Sequence, residues 1–132
     1  MGNIASLIGT PFVSGGRDVA KGLDCWGLAM EVFRQCGIEL PDFVVDAFAF
    51  RVIDSLIGEA AVSRSWEEVY RPQDEDAPLV VLMRIHPHLI THAGVFLGDG
   101  KVIHTMEGTN AVVSKVGTLG NRIVGYYRPC SQ

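Results

Sequence analysis

The stretch Gly22-Leu23-Asp24-Cys25-Trp26-Gly27-Leu28-Ala29-Met30-Glu31-Val32-Phe33-Arg34-Gln35-Cys36-Gly37 decides how the chain is read. Leu28, Ala29, Val32, Phe33 and Cys36 follow the i, i+3, i+4 spacing of one buried stripe, which predicts an amphipathic helix over 25–36. Asp24 suits the N-cap, and Gly37 suits the stop after the last turn. A cysteine therefore sits in the first helical turn. Unpaired N–H groups and about half a unit of positive charge gather there. They favour a thiolate, and they can hold a developing oxyanion.

Working outward, residues 2–10 read as a short apolar helix, and Thr10 to Lys21 as a loop carrying Pro11 and Gly15-Gly16. Pro41-Asp42 opens a second helical stretch, about 42–60. The pattern then changes. Trp66 to Tyr70 is ambiguous between a short strand and a loop, and Arg71 to Ala77 is a polar, acidic loop. Leu79 to Ile85 is an apolar run of strand length, and His86-Pro87-His88 is a turn, because proline cannot donate to a ladder. Further strands are predicted over 91–97, 101–106, 111–115 and 122–127. Helices first and antiparallel strands later give an α+β domain with N-terminal helices on a sheet of about five strands. With 132 residues, one domain spanning 1–132 is expected.

The turn at Gly98-Asp99-Gly100 bears on the chemistry. Read as a three-residue loop, it pairs Leu97 with Lys101. His92 then faces Met106 and His104 faces Gly94, so both histidines share one sheet face as diagonal neighbours about 7–8 Å apart. A two-residue Asp-Gly turn shifts the pairing by one and throws them onto opposite faces. Cys25, His92 and His104 are the parts of a cysteine nucleophile, its base and an orienting group. By spacing alone, the same residues also fit a buried core thiol and two ordinary strand histidines.

Composition narrows the classes. Nearly half the residues are hydrophobic and the net charge is −4, which argues against a nucleic-acid binder. No apolar run is long enough to span a membrane. The N-terminus lacks the features of a signal peptide, although Met-Gly-Asn-Ile-Ala-Ser matches the short myristoylation pattern. Three cysteines make a poor disulfide framework. Cys36 reads as a buried small hydrophobe and Cys130 as an exposed, incidental residue. Two histidines around Pro87 read as surface, and no metal is implied.

Gly-Leu-Asp-Cys-Trp-Gly-Leu, with the following helix and Gly-Ile-Glu-Leu-Pro, resembles the nucleophile segment of the NlpC-type cell-wall peptidases, which are small papain-like cysteine peptidases. Thr-His-Ala-Gly-Val-Phe-Leu-Gly-Asp-Gly-Lys-Val-Ile-His-Thr resembles their histidine hairpin, and Gly-Thr-Pro-Phe-Val-Ser-Gly-Gly their entry loop. Pro78 to Leu82 stands where the family usually has Pro-Gly-Asp-Leu. The resemblance implies a papain-like α+β fold, Cys25 as nucleophile, His92 as base and His104 as third polar residue. It implies Asp24, Trp26 and Phe12 as substrate-side residues, with no cofactor. The implied substrate is a peptidoglycan stem peptide, usually cut between D-glutamate and a diamino acid.

Two departures stand out. Phe12 occupies the place of a tyrosine whose hydroxyl assists the oxyanion. Trp26 follows the cysteine where secreted members commonly have serine. Cys-Trp-Gly and the closing Ile-Val-Gly-Tyr-Tyr-Arg-Pro look more like the phage tail-assembly and tail-tip subgroup. That likeness implies tail proteins as partners, synthesis in the cytoplasm and action at the bacterial wall. The alternative is a tail part that keeps the fold with weak or no activity. An acyltransferase or amidase on a related fold is a third reading, although circularly permuted relatives place His before Cys, and here Cys comes first.

Overall fold

A computed structural model describes residues 4–40, 66–74, 77–86, 89–106 and 108–129. The elements are β1 (Arg17–Asp18), β2 (Gly22–Leu23), α1 (Cys25–Gln35), β3 (Trp66–Val69), β4 (Leu79–His86), β5 (Leu89–Gly98), β6 (Lys101–His104), β7 (Val112–Lys115), α2 (Val116–Leu119) and β8 (Ile123–Pro129). Short 3-10 turns lie at Ile4–Leu7, Pro72–Asp74 and Gly120–Arg122. The predicted helix over 42–60, Cys130 and the Met1-Gly2 pattern lie outside the described residues.

The α+β class holds. Among the described residues the main sheet has six strands in the order β3-β8-β4-β5-β6-β7, all antiparallel, and β1 and β2 form a separate two-stranded ribbon. The count exceeds the expected five because the ambiguous Trp66 segment is a strand paired with β8. The N-terminal helix is the larger correction: among the described residues of that stretch, Ile4–Leu7 form a 3-10 turn and no α-helix. Gly9 adopts φ 92 and gives its N–H to Ala111, and the N–H groups of Phe12 and Ala111 pair with Thr109 and Thr10. The segment is thus bound across to residues 109–111 rather than coiled on itself.

Period-two alternation divides the strand side chains between two cores. On one face, Val80, Leu82, Ala93, Val95 and Ile103 pack under Leu28, Ala29, Val32 and Phe33 of α1. On the other, Leu79, Val81, Met83, Phe96 and Val102 gather with Val69 and Leu119. Burial on both faces is why β4 reads as an unbroken apolar run instead of an alternating one. Helix α1 ends as its sequence predicts. Gly37 has φ 81, its N–H bonds Arg34 at 3.0 Å, and the Ile38 N–H reaches back to Phe33 at 2.9 Å. Cys36 is the C-cap and only partly buried, so it is not the core residue expected from the stripe. The stripe runs past the last turn that packs on the sheet.

The β5–β6 connection reaches the expected register by another route. Its tip is a two-residue turn, Asp99-Gly100, with φ 53 and 69, and Gly98 pairs with Lys101. Two positive φ values are what a tight hairpin of this twist requires. Alone, this turn would put the histidines on opposite faces. A register shift between Phe96 and Gly98 leaves Leu97 as an extra residue, and beyond it Phe96 pairs Val102 and Gly94 pairs His104. The bulge cancels the turn, and the predicted pairing is restored.

Gly27 has no room for a side chain, because a Cβ there would collide with the Gly16 carbonyl oxygen of the entry loop. Gly117 in α2 meets nothing within 4 Å and has no positive φ. Gly27→Ala is therefore expected to lower unfolding free energy by about 1–3 kcal/mol, as overpacking does. Gly117→Ala should leave it unchanged or raise it by ~0.4–1 kcal/mol. Chemical denaturation midpoints of the two variants check the contrast.

Candidate active site

Helix α1 begins at Cys25, with Asp24 as its cap. The Asp24 carboxylate is 1% exposed. It accepts from the N–H of Gly27 at 2.7 Å and of Gly15 at 3.2 Å, and from Arg17 Nη1 at 2.6 Å. The Arg17 guanidinium also donates to the Gly16 carbonyl at 2.8 Å. One carboxylate thus fixes the helix start, the Gly15-Gly16 turn and β1. Burial raises its pKa, against the lowering effect of the Gly27 N–H, Arg17 and the Gly15 N–H. Of the two readings of Asp24, cap and substrate contact, this geometry displays the cap. No sequence signal singled out Arg17 as its partner.

Trp26 is buried in the α1 core, 7% exposed, so little of its ring faces outward. Phe12 lies alongside the approach to the helix. It bridges Leu23 in parallel, two residues before the cysteine, and its side chain is half-buried.

His92 and His104 come together as the register requires. His92 Nε2 lies 3.3 Å from His104 Nδ1, with the rings edge-on at 73°. Both are buried. His104 Nε2 in turn lies 2.8 Å from the Ser114 hydroxyl. Sequence reasoning missed Ser114. The available signal was its place on β7, where it pairs with Val102 and so stands diagonally across from His104. Gly94, opposite His104, is needed for space: a Cβ there would lie 3.0 Å from the His104 Cβ and 2.9 Å from the Ile103 carbonyl oxygen.

The cysteine meets β5 where the β5–β6 ladder stops. Pairing ends at Gly94 and His104, and the next N–H along β5, that of Ala93, hydrogen-bonds the Cys25 thiol, as does the N–H of Trp26. The thiol therefore lies against the residue that follows His92. Among the described residues no hydrogen bond joins Cys25 directly to His92; the His92 ring bonds to His104.

Electrostatics differ from the sequence expectation. The helix N-terminus was expected to lower the thiol pKa, but burial pushes it up to about 11. The Ala93 and Trp26 N–H groups pull it down, and the neighbouring Asp24 carboxylate opposes them. Burial, together with the nearby His104, drives His92 down to about 3. His104 is also lowered, by burial and by Arg122. Thiol and both imidazoles are accordingly neutral near pH 7. No group of three or more His, Cys, Asp or Glu among the described residues is placed to hold a metal ion.

A profile of the NlpC/P60 family matches residues 9–124. The chain is 30% identical over 108 residues to a gamma-DL-glutamyl hydrolase of Bacillus subtilis, covering 81% of this chain and 22% of that protein. It is 31% identical over 105 residues to tail tip assembly protein K of Escherichia phage N15, covering 77% of this chain and 40% of that one. The chain thus spans well under half the length of these relatives. In fold it is similar to the NlpC/P60 domain of the peptidoglycan hydrolase SagA, with TM-score 0.61, 21% identity and coverage of 95% and 92%. It is also similar to NlpC1 of Trichomonas vaginalis, with TM-score 0.68, 16% identity and coverage of 98% and 42%.

Neutral partners predict a specific titration. The ultraviolet absorbance of a Cys25 thiolate, taken as wild type minus Cys25→Ser, should develop near pH 11. A step near neutrality would show a preformed thiolate–imidazolium pair instead. For His92 the folded pKa of about 3 lies below its ordinary 6.5, so in that window the unfolded chain binds a proton that the folded chain does not. Stability should fall as pH drops through this window. His92→Gln, which cannot titrate, should flatten that part of a pH–stability curve.

Proposed function

The chain belongs to the NlpC/P60 family, and on that premise we propose that it is a cysteine endopeptidase that hydrolyses an amide bond in the peptide stems of peptidoglycan. The observation that supports this reading is the placement of three groups. Cys25 stands at a helix N-terminus with its thiol toward Ala93, the residue that follows His92, and His92 Nε2 lies against His104 Nδ1.

With Nε2 of His92 turned to His104, Nδ1 is the nitrogen that takes the thiol proton. Thiol and imidazole are neutral at rest, so the proton moves as sulfur attacks the carbonyl carbon. A C–S bond forms, and the carbonyl oxygen becomes an oxyanion beside the backbone N–H of Cys25, since the Trp26 and Gly27 N–H groups already face the thiol and Asp24. As the tetrahedral centre collapses, the C–N bond breaks and the His92 imidazolium protonates the leaving amine. Water then gives a proton to His92 as its oxygen bonds to the acyl carbon; the C–S bond breaks, the acid leaves, and His92 returns the proton to the Cys25 sulfur. The gamma-DL-glutamyl hydrolase relative directs the proposal to a bond made by glutamate in the stem. The tail tip relative supports a phage or prophage tail as the setting, with tail proteins as partners and the bacterial wall as the place of action. No helix of the described residues is long and apolar enough to cross a membrane.

A second reading, a tail component with weak or no activity, is favoured by Phe12. Its ring lacks the hydroxyl that the family position commonly supplies, and loss of one oxyanion donor costs ~10²–10³ in turnover.

Mass analysis of defined muropeptides incubated with the protein tests the proposal. Cys25→Ala should abolish cleavage, and His92→Ala should come close, because members of such a unit fail together, by ~10⁴-fold or more. His104→Asn should be milder, since an amide can still accept from the imidazole. Wild-type protein that leaves every muropeptide intact would support the structural reading. Phe12→Tyr should raise single-turnover acylation about tenfold or more where the missing donor limits the rate. An unchanged rate would mean that another group already serves the oxyanion.

A further inference from the structure

We propose that Ser114 is a positioning residue that sets the proton pattern of both histidines by accepting the Nε2–H of His104. The proposal deepens the peptidase reading, but its first test does not depend on hydrolysis.

A chain of two contacts carries the argument. His104 Nε2 lies 2.8 Å from Ser114 Oγ, and His104 Nδ1 lies 3.3 Å from His92 Nε2. A neutral imidazole has one N–H and one bare nitrogen. Only two arrangements therefore make both hydrogen bonds with neutral rings. In the first, His104 Nε2–H donates to Ser114, and bare His104 Nδ1 accepts from His92 Nε2–H. His92 Nδ1 is then bare and can take a proton. In the second, the Ser114 O–H donates to His104 Nε2, and His104 Nδ1–H donates to His92 Nε2. His92 then carries its proton on Nδ1, and its single lone pair is spent on His104. No base remains for Cys25.

The two differ in the tautomer of both rings and, with it, in which way the Ser114 hydroxyl points. Ser114 lies on β7, an edge strand of the sheet, and is half-buried. Its proton can turn to water while its lone pair faces the ring. The first arrangement is also the one that survives the reaction unchanged. When His92 becomes charged, its Nε2–H already points at a bare His104 nitrogen, so the charge strengthens a bond already made. The second would require the His104 and Ser114 protons to reverse first. A serine hydroxyl can serve as the acceptor that the first arrangement needs, whereas alanine offers nothing and frees His104 to reverse.

The test is nitrogen-15 NMR of the two imidazoles in the full chain, with signals assigned by substitution. Wild type should show both His92 and His104 protonated on Nε2 and bare on Nδ1. Ser114→Ala should bring up the Nδ1–H form of each, and Ser114→Thr, which keeps the hydroxyl, should restore the wild-type pattern. On a muropeptide substrate, Ser114→Ala should lower kcat about five- to tenfold with KM unchanged, and Ser114→Thr should recover it. A wild-type spectrum with Nδ1–H on His92 overturns the proposal without any variant. So does Ser114→Ala with unaltered protonation in both rings. The expected spectra in a protein that cleaves no muropeptide would sink the peptidase reading and leave the Ser114 assignment standing.

Discussion

The buried carboxylate of Asp24 is the tie on which the site depends. A carboxylate on a residue that is 1% exposed needs partners, and here two backbone N–H groups and one guanidinium offset part of the cost of burial. Each partner belongs to a different piece of chain: the first turn of α1, the Gly15-Gly16 turn and β1. Removing the carboxylate would leave the Gly27 N–H without its cap and Arg17 beside an empty place. The direction of α1, and with it the position of Cys25, follows from satisfying this one group. Gly27 belongs to the same constraint, because the entry loop passes too close for any side chain there.

The same group limits the chemistry it positions. A helix N-terminus alone favours a thiolate, but Asp24 brings a negative charge to that end, and the packing that holds the helix also buries the sulfur. Desolvation outweighs the two N–H groups that reach the thiol. Burial likewise keeps His92 uncharged. Both members of the pair are driven toward the neutral form by the cost of taking a charge out of water. For the proposed peptidase, proton transfer coupled to attack fits this state better than a standing ion pair does.

Much of this was legible from sequence because it is local. The helix boundaries follow from Asp24, the apolar stripe and Gly37, each acting within a few residues. Strands β4 to β8 follow from apolar runs and turn residues. The juxtaposition of His92 and His104 was also readable, although through a three-residue loop that the chain does not form. Leu97 carries no mark of a bulge, since a leucine reads as any other strand residue, so the two compensating irregularities were invisible. Non-local features were hidden for a related reason. The Gly9 to Phe12 segment is held by residues 109–111, a hundred positions away, and nothing in its apolar composition distinguishes that from a helix. The burial that overrides the helix dipole at Cys25 arises from tertiary packing, which periodicity does not measure.

The remaining step is how the proposed nucleophile, on the α1 side of the sheet, comes near the proposed base on the other. Helix α1 packs on the face carrying Ala93, Val95 and Ile103. Gly94, in the register that pairs it with His104, looks toward Met83, which belongs to the opposite core. By alternation His92, paired with Met83, lies on that opposite face too. In a continuous sheet the two groups would be separated by the backbone itself. The ladder between β5 and β6 ends at Gly94 and His104, and one residue further the Ala93 N–H turns to sulfur instead of to a strand. The opening at that end of the sheet lets Cys25 come to the edge of β5 at Ala93, the residue that follows His92. A strand β6 extended by one more paired residue would give that N–H a carbonyl partner and remove the hydrogen bond that holds the thiol in place. The short β6, with only Lys101 to His104 in the ladder, is therefore a condition of the site as much as either histidine is.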